Sequence, residues 1–200
     1  MTAPVPTRPD EIHAIPYNRA CDTLRRDIAL LQHRVAPTAG PPPGDSSPPE
    51  HDPLLDALSF YLMADSRVVS YAAVVHKQIK HGHETFWIGG LSCVATDPDY
   101  QGRGLGSRTV GAATRYIEHS TIDIGIFTCD PPLAVFYARA GAWPVVPDVI
   151  VIGGRQEGAL SSIALQKVVL MRLFSAKAQA AVARLRQTTI NLDLPVGQFL

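Results

Sequence analysis

Leu91-Ser-Cys-Val-Ala-Thr96 reads as the end of a β-strand, Asp97-Pro-Asp-Tyr100 as a turn, and Gln101-Gly-Arg-Gly-Leu-Gly106 as a glycine-rich loop. From about Gly104 to His119 the spacing predicts a helix with Val110, Ala113 and Ile117 on one face. Glycines at 102, 104 and 106 remove the side chains that would hold a bound anion away from the backbone. The free N–H groups of the first helical turn, with the positive end of its dipole, suit a diphosphate. The loop is therefore the candidate pyrophosphate site, with Gln101, Gly102, Arg103, Gly104, Leu105 and Gly106 around it and Arg103 placed for a charge-assisted contact. The glycines run G-x-G-x-G, which is not the G-x-G-x-x-G of a parallel β-α-β dinucleotide fold, and no Gly-Lys-Ser/Thr follows to make a P-loop.

Upstream of this loop, Leu58–Ala64, Arg67–Lys77 and Thr85–Thr96 have strand composition, separated by Asp65-Ser66 and by Lys80-His-Gly-His83, and are expected to form an antiparallel meander. Downstream come a β-rich stretch at 122–129 and a short helix from Pro132 to Ala140 stopped by Gly141. Two strands near 145–152 and 163–174 follow, then an alanine-rich helix from Ser175 to about Gln187 and an irregular tail. Near the N-terminus, Leu24, Ile28, Leu31 and Val35 recur at helical spacing within 18–35. The segment from Pro37 to Pro49 holds six prolines and two glycines and is a loop, which compact domains often use as a binding wall. The reading is an α/β chain of the α+β kind, with an irregular segment at 1–16 and a single domain over 17–200 whose core is 58–174.

Composition narrows the function classes. Hydrophobic residues make up 46% of the 200, ample for one core, and 18 basic residues balance 18 acidic ones. No basic surplus points to nucleic acid. No signal-like or membrane-length apolar run is visible, so cytoplasmic location and no membrane partner are the expectation. Cys21, Cys93 and Cys129 form no C-x-x-C pair, and His81 and His83 sit in a turn, so no metal site is expected.

The spacing Q/R-x-x-G-x-G/A after a strand, filled by Gln101, Gly104 and Gly106, resembles the acetyl-CoA signature of the GNAT N-acetyltransferase superfamily. The stretch Asp130-Pro-Pro-Leu-Ala-Val-Phe-Tyr137-Ala-Arg-Ala-Gly141 resembles its second motif, and the likeness covers roughly 58–152. The resemblance implies a mixed, mostly antiparallel sheet of six to seven strands flanked by helices and splayed where acetyl-CoA, the co-substrate, binds. Val94, Ala95 and Thr96 would pair with its pantetheine arm, residues 101 to 106 would hold the diphosphate, and Asp130 would add a contact. Tyr137 would protonate the departing thiolate, and the amide near Val94 would meet the oxyanion.

Within the superfamily the chain is most similar to aminoglycoside 2'-N-acetyltransferases, and more distantly to rhizobial N-acyltransferases. That likeness implies a small-molecule amine acceptor, such as an aminoglycoside or amino sugar, held by Asp45, Glu50, Ser92, Cys93, Asp193 and the end of the chain at Leu200. Those enzymes carry a glutamate where this sequence has Ser92, which is the candidate proton relay here. A non-catalytic acyl-CoA sensor and an acyltransferase for longer acyl groups stay open, and the resemblance would allow a homodimer.

Overall fold

The computed structural model describes residues 11–37, 42–44 and 50–200. Six strands form one sheet: β1 (His13–Pro16), β2 (Leu58–Ala64), β3 (Arg67–His81), β4 (Glu84–Thr96), β5 (Ile124–Cys129) and β7 (Val168–Leu173), in the order β1-β2-β3-β4-β5-β7. Every neighbouring pair is antiparallel except β4 and β5. The two-residue turn between β2 and β3 has both Asp65 (φ 50°) and Ser66 (φ 62°) left-handed, the geometry that matches the twist of a tight hairpin.

From Val68 to Val75 strand β3 is buried on both faces, which explains a run that is apolar except at Ser70. Tyr71, Ala73 and Val75 point to one side, where α1 (Asp22–Val35) packs through Ile28 and Leu31. Ala72 and Val74 point to the other, against Val110, Ala113 and Ile117 of α2 (Leu105–Glu118) and against Phe127, Tyr137 and Trp143. Full burial of Val110 and Ile117 contributes roughly 1.5–3 kcal/mol each. The helix α3 (Ala134–Gly141) lies beside α2, while β6 (Val149–Ile152), α4 (Ala176–Ala180), α5 (Val182–Leu185) and β8 (Thr188–Asn191) close the face that α1 covers.

Several sequence expectations change. The segment expected to be irregular up to residue 16 contains β1, which pairs with β2 from His13↔Tyr61 to Pro16↔Leu58, and a 3-10 turn at Tyr17–Arg19 delays α1 to Asp22. The alanine-rich helix begins as predicted, capped by the Ser175 hydroxyl on the Ala178 N–H at 3.1 Å, but breaks at Ala181. The tail then extends, with Arg186 held by both Asp148 carboxylate oxygens, and forms β8, parallel to β6. Pro144 and Pro147 shorten the strand expected at 145–152 to Val149–Ile152, because a proline nitrogen cannot donate to a ladder.

Candidate active site

Beyond the end of β4 the chain is pinned before it turns. The Asp97 N–H donates to Val69 at 2.9 Å, and the Asp97 carboxylate accepts from the Asp99 N–H at 3.1 Å. Its other oxygen lies 2.9 Å from Arg34 Nε, an ion pair off the hydrogen-bond axis that ties α1 to the turn. Ser70 links Thr96 (3.1 Å) to Thr109 (2.9 Å), and Thr109 donates to the Leu105 carbonyl, so the strand end and the first turn of α2 share one hydroxyl chain. Gly104 caps α2 at φ 76°, a conformation L side chains rarely adopt, and a Cβ there or at Gly102 would project into open space. The loop is thus a bare backbone cradle.

A groove of about 500 Å³ runs from this cradle along Thr96, Ala95 and Val94 to Tyr137 and Phe136, with Val35 and Leu133 on its rims. It exists because β4 and β5 separate. They pair only at Ile88↔Ile124 and Gly89↔Gly125, then diverge while β5 stays paired with β7 through Cys129. Near the parting, β4 carries a bulge: Ser92 faces Ala73 and Ala95 faces Tyr71, so Cys93 and Val94 together oppose Ala72, with Cys93 at φ 50°. A bulge leaves its extra residue off the ladder, and here it turns backbone toward the groove wall. Gln32 of α1 donates to the Cys93 carbonyl at 2.6 Å.

Tyr137 is 7% exposed, wedged edge-to-face between Phe127 and Phe136, and lines the groove. Its hydroxyl bonds no other described residue, and burial pushes its pKa well above the ordinary phenol value. It therefore stands protonated at neutral pH.

On the α1 side of the bulge lies a second group of polar residues. Tyr17 accepts from the Glu50 N–H at 3.1 Å, and His51 Nε2 shares a hydrogen bond with the Tyr71 hydroxyl at 2.8 Å, which also meets Ser59 at 2.9 Å. The Cys93 thiol lies 3.9 Å from the Glu50 carbonyl oxygen. The tail crosses the same region: Gln198 donates to Asp52, and Thr128 of β5 donates to the Leu200 main-chain oxygen.

The acetyltransferase (GNAT) family model matches residues 29–142, more than half of the chain. The chain belongs to the GNAT acetyltransferase family. Among solved structures, YhbS from Escherichia coli in complex with CoA is similar at 16% identity and TM-score 0.58, covering 92% of both chains. ElaA from Escherichia coli is similar at 12% identity and TM-score 0.57, covering 81% of this chain and 98% of that one. An acyl-CoA N-acyltransferase from Pseudomonas aeruginosa is similar at 13% identity and TM-score 0.53, with the same coverage. At these identities the structural likeness speaks for the fold, which is the mixed, mostly antiparallel sheet the sequence predicts. Among proteins of curated function none matches in sequence.

As a GNAT domain the chain is an acetyltransferase whose co-substrate is acetyl-CoA. The groove fits such a molecule: open backbone at Gly102 and Gly104 for a diphosphate, an apolar channel beside Val94–Thr96, and no acidic side chain along its lining. Val94, Ala95, Thr96, Gln101, Gly102, Gly104, Leu105 and Gly106 all face it. Gln101 also braces the loop, donating to the Thr96 carbonyl at 3.1 Å.

Two predicted co-substrate residues stand apart. Arg103 folds back on its own turn, donating to the Asp99 carbonyl at 2.9 Å and lying 4.9 Å over the Tyr100 ring. Asp130 is ion-paired with Lys167 at 2.6 Å and does not line the groove. Of the predicted acceptor residues, Glu50, Ser92, Cys93 and Leu200 gather around the bulge and its flanking strand, with the Ser92 hydroxyl 3.6 Å from the Cys93 sulfur. Asp193 does not join them: it is exposed, and its carbonyl accepts from Lys77, four residues or about 13 Å along β3 from the partner of Ser92. Asp45 lies outside the described residues. Sequence reasoning missed Gln32, Tyr17, His51 and Tyr71, whose places depend on contacts between distant segments. Among the described residues no helix is long and apolar enough to cross a membrane, and no group of three or more His, Cys, Asp or Glu is arranged to hold a metal.

Proposed function

We propose that this GNAT domain transfers the acetyl group of acetyl-CoA directly to a primary amine of a small, cationic or sugar-like molecule, with Tyr137 as general acid. The observation that carries the reading is the coincidence, at one end of the groove, of a buried phenol with no described partner and a β4 bulge. In this account the amine nitrogen attacks the thioester carbonyl, the Val94 amide receives the developing oxyanion, and Tyr137 protonates the sulfur as the C–S bond breaks. Diphosphate binding falls to residues 101–106. Acceptor recognition falls to Glu50, Ser92, Cys93 and the tail around Leu200, with Asp45 as a further acidic contributor drawn from the likeness to aminoglycoside enzymes.

A sensor that binds acetyl-CoA without turnover is the competing reading, favoured by Ser92 standing where related enzymes carry a glutamate. Calorimetric titration with acetyl-CoA and thiol release over a panel of aminoglycosides, polyamines and amino sugars separate the two. Thiol release with at least one cationic amine is expected. Tight acetyl-CoA binding with no thiol release across the panel would leave the sensor.

A further inference from the structure

An amine that is protonated in water must lose a proton before it can attack, and Ser92 has no charge to attract or neutralise that ammonium. The structure brings a different carboxylate to the bulge. Glu50 sits where the described chain resumes after the proline-rich segment, its N–H fixed on the Tyr17 hydroxyl at 3.1 Å and its carbonyl 3.9 Å from the Cys93 thiol. The backbone of Glu50 is thereby held against β4 at the bulge. Its side chain is half-buried, and among the described residues its carboxylate has neither an ion-pair nor a hydrogen-bond partner. A half-buried carboxylate without a partner is costly unless something cationic joins it.

The surroundings single it out further. Tyr17 from the turn after β1, Tyr71 from β3 and Cys93 from β4 are all raised by burial, the thiol to about 11, so each is uncharged at neutral pH. Buried His51 is pushed down to about 4 and is neutral as well. Arg25 of α1 is committed to the Tyr17 and Asn18 carbonyls, at 3.3 Å and 2.8 Å. Of the carboxylates around this cluster, Asp52 accepts from Gln198 and Asp56 is paired with His76, whereas Glu50 has no partner among the described residues, and burial raises its pKa above the ordinary carboxylate value.

We infer that Glu50 is the general base of the reaction, taking over from a different segment of the chain the task that Ser92 cannot perform. The inference rests on the proposed amine acetylation. The ammonium gives one proton to the Glu50 carboxylate, which passes it to solvent. The freed nitrogen lone pair forms the N–C bond, the C–S bond breaks, and the sulfur takes the Tyr137 proton. The nitrogen then loses its second proton, which returns through water to Tyr137, so one proton is released per acetyl transferred.

The test compares wild type, Glu50→Gln and Glu50→Asp for thiol release against pH, using the best amine of the panel and acetyl-CoA at saturation. Glu50→Gln is expected to lower kcat/KM at neutral pH by about 10²- to 10⁴-fold. Its acid limb should also move up to the pKa of the amine itself, the residual rate following the fraction of free amine, while Glu50→Asp keeps the wild-type limb with a smaller loss. Acetyl-CoA affinity and melting temperature should stay at wild-type values, which shows that fold and groove are intact. A Glu50→Gln enzyme with the wild-type acid limb and kcat overturns the inference, even if KM for cationic amines rises, since Glu50 then only holds the ammonium. A wild type that releases no thiol with any amine removes the proposed activity itself, and this inference with it.

Discussion

The side-chain amide of Gln32 donates to the carbonyl oxygen of Cys93 at 2.6 Å, so a helix 61 residues away in sequence clamps the bulged residue of β4 at its left-handed φ of 50°. Left-handed backbone at a residue with a side chain costs on the order of 1 kcal/mol and persists only where surroundings enforce it. Gln32→Ala removes the clamp. The expected outcome is a loss of about 1 kcal/mol of stability by thermal unfolding and a roughly tenfold or greater fall in kcat, as the Val94 amide loses its aim, with acetyl-CoA affinity little changed.

Gly104 offers a second test. Its φ of 76° and the open space where a Cβ would stand mean that Gly104→Val both strains the cap of α2 and fills the cradle. The strain costs about 1–2 kcal/mol of stability, seen as a lower melting temperature. A steeper loss of acetyl-CoA affinity, beyond the roughly 30-fold that this strain could produce, is expected from calorimetric titration because the added isopropyl group occupies the space proposed for the diphosphate.

Much of this cradle was legible in the sequence, because its chemistry is local: glycines, a turn and a helix start lie within sixteen consecutive residues. The meander was legible for the same reason, with Asp65-Ser66 and the turn at Gly82 punctuating apolar runs. Pairings between remote segments were not. Four residues, His13–Pro16, carry too little pattern to announce β1, and β8 is a strand only because β6 lies beside it. Nothing in Leu91–Thr96 signals a bulge, since Cys93 rather than a glycine takes the positive φ. The same limit applied to Asp130, which reads as a motif residue but finds Lys167 across 37 positions, and to Asp97, whose partner Arg34 lies on another element.

Tyr137→Phe keeps the ring packing against Phe127 and Phe136 and removes only the hydroxyl. A fall in kcat of about 10- to 10⁴-fold is expected where chemistry limits the rate, with acetyl-CoA affinity unchanged. Wild-type kcat under those conditions would reduce Tyr137 to a core aromatic.

His51 gives a signature in stability rather than rate. Its pKa is pushed from the ordinary 6.5 down to about 4 by burial, so between those values the unfolded chain binds a proton that the folded chain refuses. Stability should fall as pH drops through this window, by at most about 1.4 kcal/mol per pH unit from this group. His51→Gln keeps a partner for the Tyr71 hydroxyl and should flatten the slope of denaturant-unfolding free energy between pH 6.5 and pH 4. An unchanged slope would mean that His51 is not the group responsible.

The central claim is that acetyl passes in one step from the groove to an acceptor nitrogen beside the bulge. It is tested most directly with acetyl-CoA carrying an isotopic label in the acetyl carbonyl, incubated with the protein and the active amine, followed by mass analysis of acceptor, protein and released acid. The account predicts label on the acceptor nitrogen in amount equal to the thiol released, none retained on the protein, and none in free acetate above the uncatalysed background. Thiol release with the label in acetate, or on a protein residue such as Cys93, would contradict it.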